Sequence, residues 1–255
     1  MKIDDFPEEG ARSVTTVETN FRLLEALRKS EGAGVTELAD ELSLTKSTVH
    51  KHLTTLRKLG YIVKEGTTYR LGISLLGLGT AARSQLPFYE TAKEPLEKLS
   101  DTTDEVATLV VPEHGYGVYA FREGPVDDRK THRQAGARIP LHRTAGGKAI
   151  LAYTPTEIRD RIFRHRDVKF DSEERDTLAR ELQNIRDTRT AYDRGEYIDD
   201  WYCVAVPITD ADRNAVGAVT VSGPADRMEG KLSRNDIPNL IGHTANSIQN
   251  RLRSN

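Results

Sequence analysis

The stretch LTKSTVHKHLTTLRKLG, Leu44 to Gly60, decides how the N-terminal third of this chain folds. Val49, Leu53 and Leu56 recur at helical spacing and define one apolar stripe. Thr45 stands where an N-cap hydroxyl accepts a hydrogen bond from a backbone N–H one turn later. The opposite side carries Ser47, His50, Lys51, Thr54 and Lys58, which are cations and hydroxyls with no carboxylate among them. Such a face suits phosphates and base edges. The plainer alternative is a solvated helix with a basic bias.

The flanking sequence favours the first reading. Gly34–Val35–Thr36 opens a short segment, ELADELS, with Leu38, Ala39 and Leu42 as its inward set. The small Ala39 lets two helices approach closely, and Ser43–Leu44 leaves room only for a tight turn. Two short helices joined in this way, the second one basic, form a helix-turn-helix whose second helix enters the major groove. Upstream, Val17, Phe21, Leu24 and Leu27 predict a third helix that covers the pair. Downstream, YIVKEGTTYRLG alternates and breaks at Gly66–Thr67, the pattern of a β-hairpin. Residues 17–72 therefore read as a winged helix-turn-helix behind a polar, flexible tail of residues 1–16. Ser47, Thr48, His50 and Lys51 are expected nearest base edges, and Lys46, Arg57, Lys58, Lys64 and Arg70 mainly on phosphates. Tyr69 is expected to pack against the recognition helix rather than to touch DNA.

Charge supports this locally. The whole chain is at −2, but residues 44–70 hold six cations against Glu65 alone, a local +5 that leaves −7 for the rest. A basic strip on an otherwise acidic protein keeps local affinity for DNA while limiting nonspecific binding. At 255 residues there is length for a second domain with its own core. One cysteine, Cys203, excludes an intramolecular disulfide and any CxxC zinc site. The N-terminus lacks an apolar signal core and no apolar run approaches the ~20 residues of a membrane span, so a cytoplasmic location without membrane contact is expected.

The clearest boundary lies near Leu86–Pro87. Before it, ISLLGLGTAARSQL reads as a helix over residues 73–86 with Leu75, Leu76, Leu78 and Ala82 apolar. Such a linker helix has little to bury within one subunit and is expected to pack on its twin, or else to cover the winged domain. Residues 87–255 mix helices and strands. PFYETAKEPLEKLSDTT reads as a helix interrupted or started by Pro95, and the next twenty residues as two strands around a Glu113–Gly115 turn. A helix is expected near Gly147–Ala152, further helices over 155–166 and 172–191, a strand hairpin turning near Asp212–Asn214, and a last helix from about Arg234 to Arg253. An antiparallel sheet flanked by helices, an α+β domain, fits this order.

Several of these segments carry a resemblance: YRLG (Tyr69–Gly72), LLGLG (Leu75–Gly79), GARIPLHRTAGGKAILA (Gly136–Ala152), CVAVPI (Cys203–Ile208) and VTVSGP (Val219–Pro224). In this order, behind a winged helix, they resemble the IclR family of transcriptional regulators from about Val17 to the C-terminus. The resemblance implies a linker helix used in dimerisation and a GAF-like C-terminal domain that binds a small effector. It also implies homodimers or homotetramers on roughly palindromic double-stranded operators, repressing or activating. Carried over by position, the effector pocket is expected at Ala145, Gly146, Asp193, Cys203, Thr220 and Ser222. A glycine-rich turn at a helix N-terminus offers N–H groups to an anion such as an organic acid. Thr220 and Ser222, two apart on a strand, share a face and donate hydroxyls. Ordinary burial of Cys203, strand hydroxyls and a helix-capping Asp193 are the alternatives. One departure stands out: many members have glycine where this chain has Asp200, and Asp199, Asp200 and Trp201 are expected to narrow the pocket or repel an anion, with Lys148 available to balance charge.

Two rival function classes draw on other residues of the chain. A small-molecule enzyme would need a nucleophile motif around Cys203, and GGKA lacks the spacing of a phosphate loop, so no catalytic residue and no cofactor are assigned. A metal-responsive sensor would draw on His114, His132, His142 and Cys203, but no two of them have tight ligand spacing and no metal ligand is assigned.

Overall fold

Helix α1 (Thr15–Ser30), α2 (Val35–Leu42) and α3 (Lys46–Lys58), followed by strands β1 (Ile62–Glu65) and β2 (Thr68–Leu71), enclose one small core in the N-terminal part of the chain. The computed structural model describes residue 3 and residues 12–125, 135–166, 168–233 and 236–253, and the chain divides into two compact units between Gln85 and Leu86.

The first unit is built around Leu23, Leu27, Leu38, Val49, Leu53, Leu56 and Ile62. Thr45 caps α3, its Oγ1 accepting from Thr48 N at 3.1 Å. Gly34 N donates to Glu37 Oε2 at 2.7 Å and closes the first turn of α2. Ser43 takes a left-handed conformation (φ 55°) that ends α2 and turns the chain into α3. The hairpin pairs Ile62 with Leu71 and Glu65 with Thr68 around Gly66 (φ 60°). Tyr69 is buried, and its backbone exchanges hydrogen bonds of 2.9 and 3.0 Å with Ala33.

On α1 the expected face needs correction. Val17 and Phe21 are exposed, while Thr19, Leu23, Ala26 and Leu27 turn inward. The helix carries two apolar stripes, Val14–Val17–Phe21 and Leu23–Ala26–Leu27, and periodicity alone does not select between them. The following helix, α4 (Leu75–Ser84), buries none of its residues. Ile73, Leu76 and Leu78 stand exposed, and Ser74 Oγ donates to Gly60 O.

The second unit is a six-stranded antiparallel sheet with helices on both faces. Its strands are β3 (Val106–Glu113), β4 (Tyr116–Glu123), β5 (Arg138–Pro140), β6 (Ala191–Arg194), β7 (Trp201–Thr209) and β8 (Ala215–Pro224), in the order β5-β4-β3-β8-β7-β6. The twofold alternation of strand side chains divides the core. Leu109, Val111, Val204, Val206, Val219 and Val221 face α5 (Tyr89–Thr103), α9 (Ala225–Ser233) and α10 (Asp236–Arg253). Val110, Ala205 and Ala218 face α6 (Ala145–Ala152) and α8 (Ser172–Thr188), while α7 (Thr156–His165) adds Ile162 to the same cluster.

Pro95 neither interrupts nor starts a helix, because α5 runs through it. A proline in a helix interior strands the carbonyl four residues back. Here that carbonyl, Thr91 O, accepts from Arg251 Nη1 of α10 at 3.3 Å. The segment 172–191 also departs from its expected single helix. Arg189 (φ 59°) ends α8, and Ala191 already belongs to the edge strand β6.

Candidate nucleic-acid interface and ligand pocket

Burying Val49, Leu53 and Leu56 forces the other face of α3 outward. Lys46, Ser47, His50, Lys51, Thr54, Arg57 and Lys58 are all exposed, as are Lys64 and Arg70 on the hairpin. Thr48 is half-buried, and its hydroxyl lies 2.9 Å from that of Thr45, which ties it to the cap. On the hairpin, Arg70 pairs with Glu65 at 3.0 Å and Lys64 lies 5.4 Å from the ring centre of Tyr69. His52, at the side of α3, is held to Asn20 of α1 at 2.8 Å. No acidic side chain interrupts the exposed face of α3 itself, so it presents positive charge and hydroxyls to a polyanion.

The second site lies in the C-terminal unit, between the sheet and α6. Strand pairing places Asp193 opposite Cys203, Cys203 opposite Ser222, and Thr220 opposite both Ala205 and Thr108. These residues share one face, and Asp193, Cys203, Thr220, Ser222 and Thr108 line a pocket with about 480 Å³ of space between atoms, part of it open to solvent. Gly146 and Thr144 close it from the α6 side, Tyr119 and Arg122 from β4, and Tyr197, Ile198 and Trp201 from the β6–β7 connection and the start of β7. Ala145 is buried in the core and lies outside the lining. Sequence reading missed Thr108, Tyr119, Arg122 and Tyr197, because strand register brings the first three to the other lining residues and the fold of the β6–β7 connection brings the fourth.

The two glycines of TAGGK do separate jobs. A Cβ on Gly147 would collide with the backbone of Leu141, so α6 docks at this distance only with glycine there. A Cβ on Gly146 would stand 3.0 Å from Val110 and 3.1 Å from Thr220, inside the space the pocket needs. Thr144 caps the helix, its Oγ1 accepting from Gly147 N at 3.2 Å.

Electrostatically the pocket is divided. Asp193 is buried, accepts from Glu196 N at 2.8 Å, and is pushed up to about 6, mainly because burial disfavours its charge. Cys203 is raised well above the ordinary thiol range, first by burial and then by the nearby Asp193, which makes it a poor nucleophile. Lys148 does not reach the pocket: fully buried, its Nζ is 2.6 Å from both Glu181 of α8 and Glu196 of the β6–β7 connection. Arg143 Nη2 donates to Glu196 O at 2.5 Å, so this connection is held at three atoms of one residue.

Asp199 and Asp200 are exposed and do not line the pocket, whereas Trp201 does. Asp200 sits at φ 56°, a left-handed position that glycine adopts without strain and Asp tolerates. The expectation that these carboxylates crowd the pocket is therefore corrected for both. His132 lies outside the described residues. Among the described residues no three His, Cys, Asp or Glu side chains converge on a point suited to a metal, and no described helix is long and apolar enough to cross a membrane.

The IclR helix-turn-helix domain model matches residues 16–66, and the model of the bacterial transcriptional regulator IclR C-terminal domain matches residues 80–250. The chain belongs to the IclR family. It is 28% identical over 253 residues to a probable HTH-type transcriptional regulator ArcR of Halobacterium salinarum, covering 95% of both chains. It is 31% identical to the glycerol operon regulatory protein of Streptomyces coelicolor, over 87% of this chain and 90% of that one. Among solved structures, an IclR homolog of Microbacterium hydrocarbonoxydans complexed with 4-hydroxybenzoate shares its fold with a TM-score of 0.74 at 18% identity, covering 94% of this chain and all of that one. This IclR-family chain is thus a DNA-binding transcriptional regulator with an effector-binding C-terminal domain.

Proposed function

We propose that this regulator binds a palindromic operator in the cytoplasm as a homodimer or homotetramer, through α3, and that a small organic acid in the C-terminal pocket controls genes of carbon or aromatic-acid catabolism. Residues 17–72 form the DNA-binding domain, 73–86 the linker helix and 87–255 the effector-binding domain. The observation that carries the DNA assignment is the division of α3, with its apolar stripe fully buried and its cations and hydroxyls exposed. Ser47, Thr48, His50 and Lys51 read base edges, with Thr48 restricted by its capping bond; Lys46, Arg57, Lys58, Lys64 and Arg70 bind phosphates.

The glycerol operon regulator and the homolog holding 4-hydroxybenzoate support a carbon-derived effector. Ligand binding acts by population shift: it favours one spacing of the paired recognition helices and so changes their fit to half-sites about one turn apart, or a multiple of it. Genome-wide occupancy with and without candidate carbon sources locates the operators. At an occupied site, His50→Ala with Lys51→Ala is expected to erase the footprint, each base reader contributing about 1–3 kcal/mol. An unchanged footprint would take α3 out of the groove. Operator affinity that stays constant across a broad panel of metabolites would refute ligand control.

A further inference from the structure

A second cavity opens at the far end of α6 from Gly146. It lies between the C-terminal end of α6, the start of α7, the last turn of α8 and the turn from β7 to β8, with about 660 Å³ of space between atoms, part of it open to solvent. Arg186, Arg213, Tyr153 and Asn214 are among its walls, and none of its lining residues is acidic. It shares no lining residue with the pocket of Asp193 and Cys203.

The two arginines reach this space from different elements and are held in different ways. Arg186 Nε donates to Ala152 O in the last turn of α6, and Tyr153 Oη donates to Arg186 O at 3.3 Å. That contact engages one N–H of a guanidinium that carries several, so the terminal nitrogens remain available to an acceptor in the cavity. Arg213 stands at φ 66° in the turn, where Asp210 N donates to Asn214 O at 3.0 Å and Asn214 N donates to Asp210 Oδ1 at 2.8 Å. Glycine adopts this conformation without strain and arginine does not. Strained positions of this kind collect at ligand clamps.

The surrounding charge is unbalanced. Arg159 of α7, whose Nη2 donates to Thr156 Oγ1 at 2.9 Å, is pushed below the ordinary guanidinium range by burial first and by the charge of Arg186 second, with Asp160 opposing. Of the other acids close in sequence, Asp187 accepts from Gln183 Nε2 at 3.0 Å, Asp210 accepts within the turn, and Asp212 is exposed. Crowded cations of this kind are relieved by an anion bound among them.

We propose that this cavity is a second ligand site, which takes a phosphate group, free or carried by a small metabolite, between Arg186 and Arg213. A carboxylate presents its two oxygens along one edge, which a single guanidinium fork satisfies. A tetrahedral phosphate offers oxygens to two forks approaching from different directions, with the Asn214 amide as a further donor. The site is independent of what the first pocket binds and stands whether or not that pocket takes the effector.

Calorimetric titration of the full-length protein at low ionic strength with inorganic phosphate, ribose 5-phosphate and ribose tests this. At least one of the two phosphate compounds should bind with a Kd below about 1 mM, ribose should not, and binding should weaken as salt is raised. Arg213→Gly removes the cation and leaves a residue suited to the backbone of the turn. It should weaken binding about 10- to 100-fold while melting close to the wild type, and Arg186→Gln should weaken binding as well. Tighter binding of ribose 5-phosphate than of phosphate makes a phosphorylated metabolite the occupant; equal binding makes it the free anion. No binding of either phosphate compound in this range, equal binding of ribose, or an unchanged affinity in either variant overturns the proposal.

Discussion

Asp193 concentrates the residue-scale physics. Its carboxyl holds a proton up to about pH 6 when folded, against an ordinary value of 3.8. A proton bound more tightly in the folded state stabilises the fold fully below about pH 4, and that contribution is lost as pH rises through about 6. Around it stand Glu196, which raises its pKa by charge and lowers it by a backbone bond, Lys148, which lowers it, and the neutral Cys203. Asp193→Asn does not titrate, so its stability relative to the wild type is expected to improve by about 1–3 kcal/mol between pH 4 and pH 8. Urea melts at the two pH values measure this; a pH-independent difference would mean the carboxylate is better solvated than its burial implies. At Gly147 steric space decides instead. Gly147→Ala is expected to cost about 2–4 kcal/mol, the scale of overpacking plus backbone displacement, because the obstructing atoms belong to the Leu141 backbone. A thermal melt close to that of the wild type would show that the β5–α6 connection yields.

At the scale of elements, α3 was legible in advance because three independent signals agree: its stripe, its cap and the basic opposite face. The prediction that belongs here concerns charge. Lys58→Ala, at an exposed position in the last turn of α3, should weaken binding to specific and nonspecific DNA alike and lower the slope of log affinity against log salt by about one. Loss of preference at a single base pair would instead make Lys58 a base reader. Where signals conflicted, sequence reading stopped short. Proline in α5 argued for a break, but Arg251 on α10, 160 residues later, caps the stranded carbonyl. The four-residue strand β6 has too few positions to display alternation, and it exists because β7 offers an edge to pair with.

For the whole molecule, the exposed apolar side chains matter most. Leu76 and Leu78 on α4 are 62% and 57% exposed, and Val17 and Phe21 on α1 are 51% and 64% exposed. Isolated apolar side chains need no explanation, but two helices of one small unit both showing them is what the proposed homo-oligomer would require of a subunit contact. Leu76→Asp with Leu78→Asp is expected to shift the protein to monomer in sedimentation velocity at micromolar concentration. Operator affinity should fall with it, because two half-sites then bind independently. A dimer that survives both substitutions would place the subunit contact elsewhere.

The amino-acid sequence by itself determined the helix-turn-helix and hairpin, the charge separation along the chain, the α+β character of residues 87–255 and the family resemblance. All of these rest on short-range periodicity, capping and turn chemistry, which a linear reading can see. Tertiary structure decided which stripe of α1 is buried, that Lys148 is spent on Glu181 and Glu196, and that Arg122 joins Asp193 in one pocket. Each of these depends on residues far apart in sequence meeting across strands or helices, and the last also on a one-residue bulge at Ala120 of β4 that reverses a side chain's direction without marking the sequence.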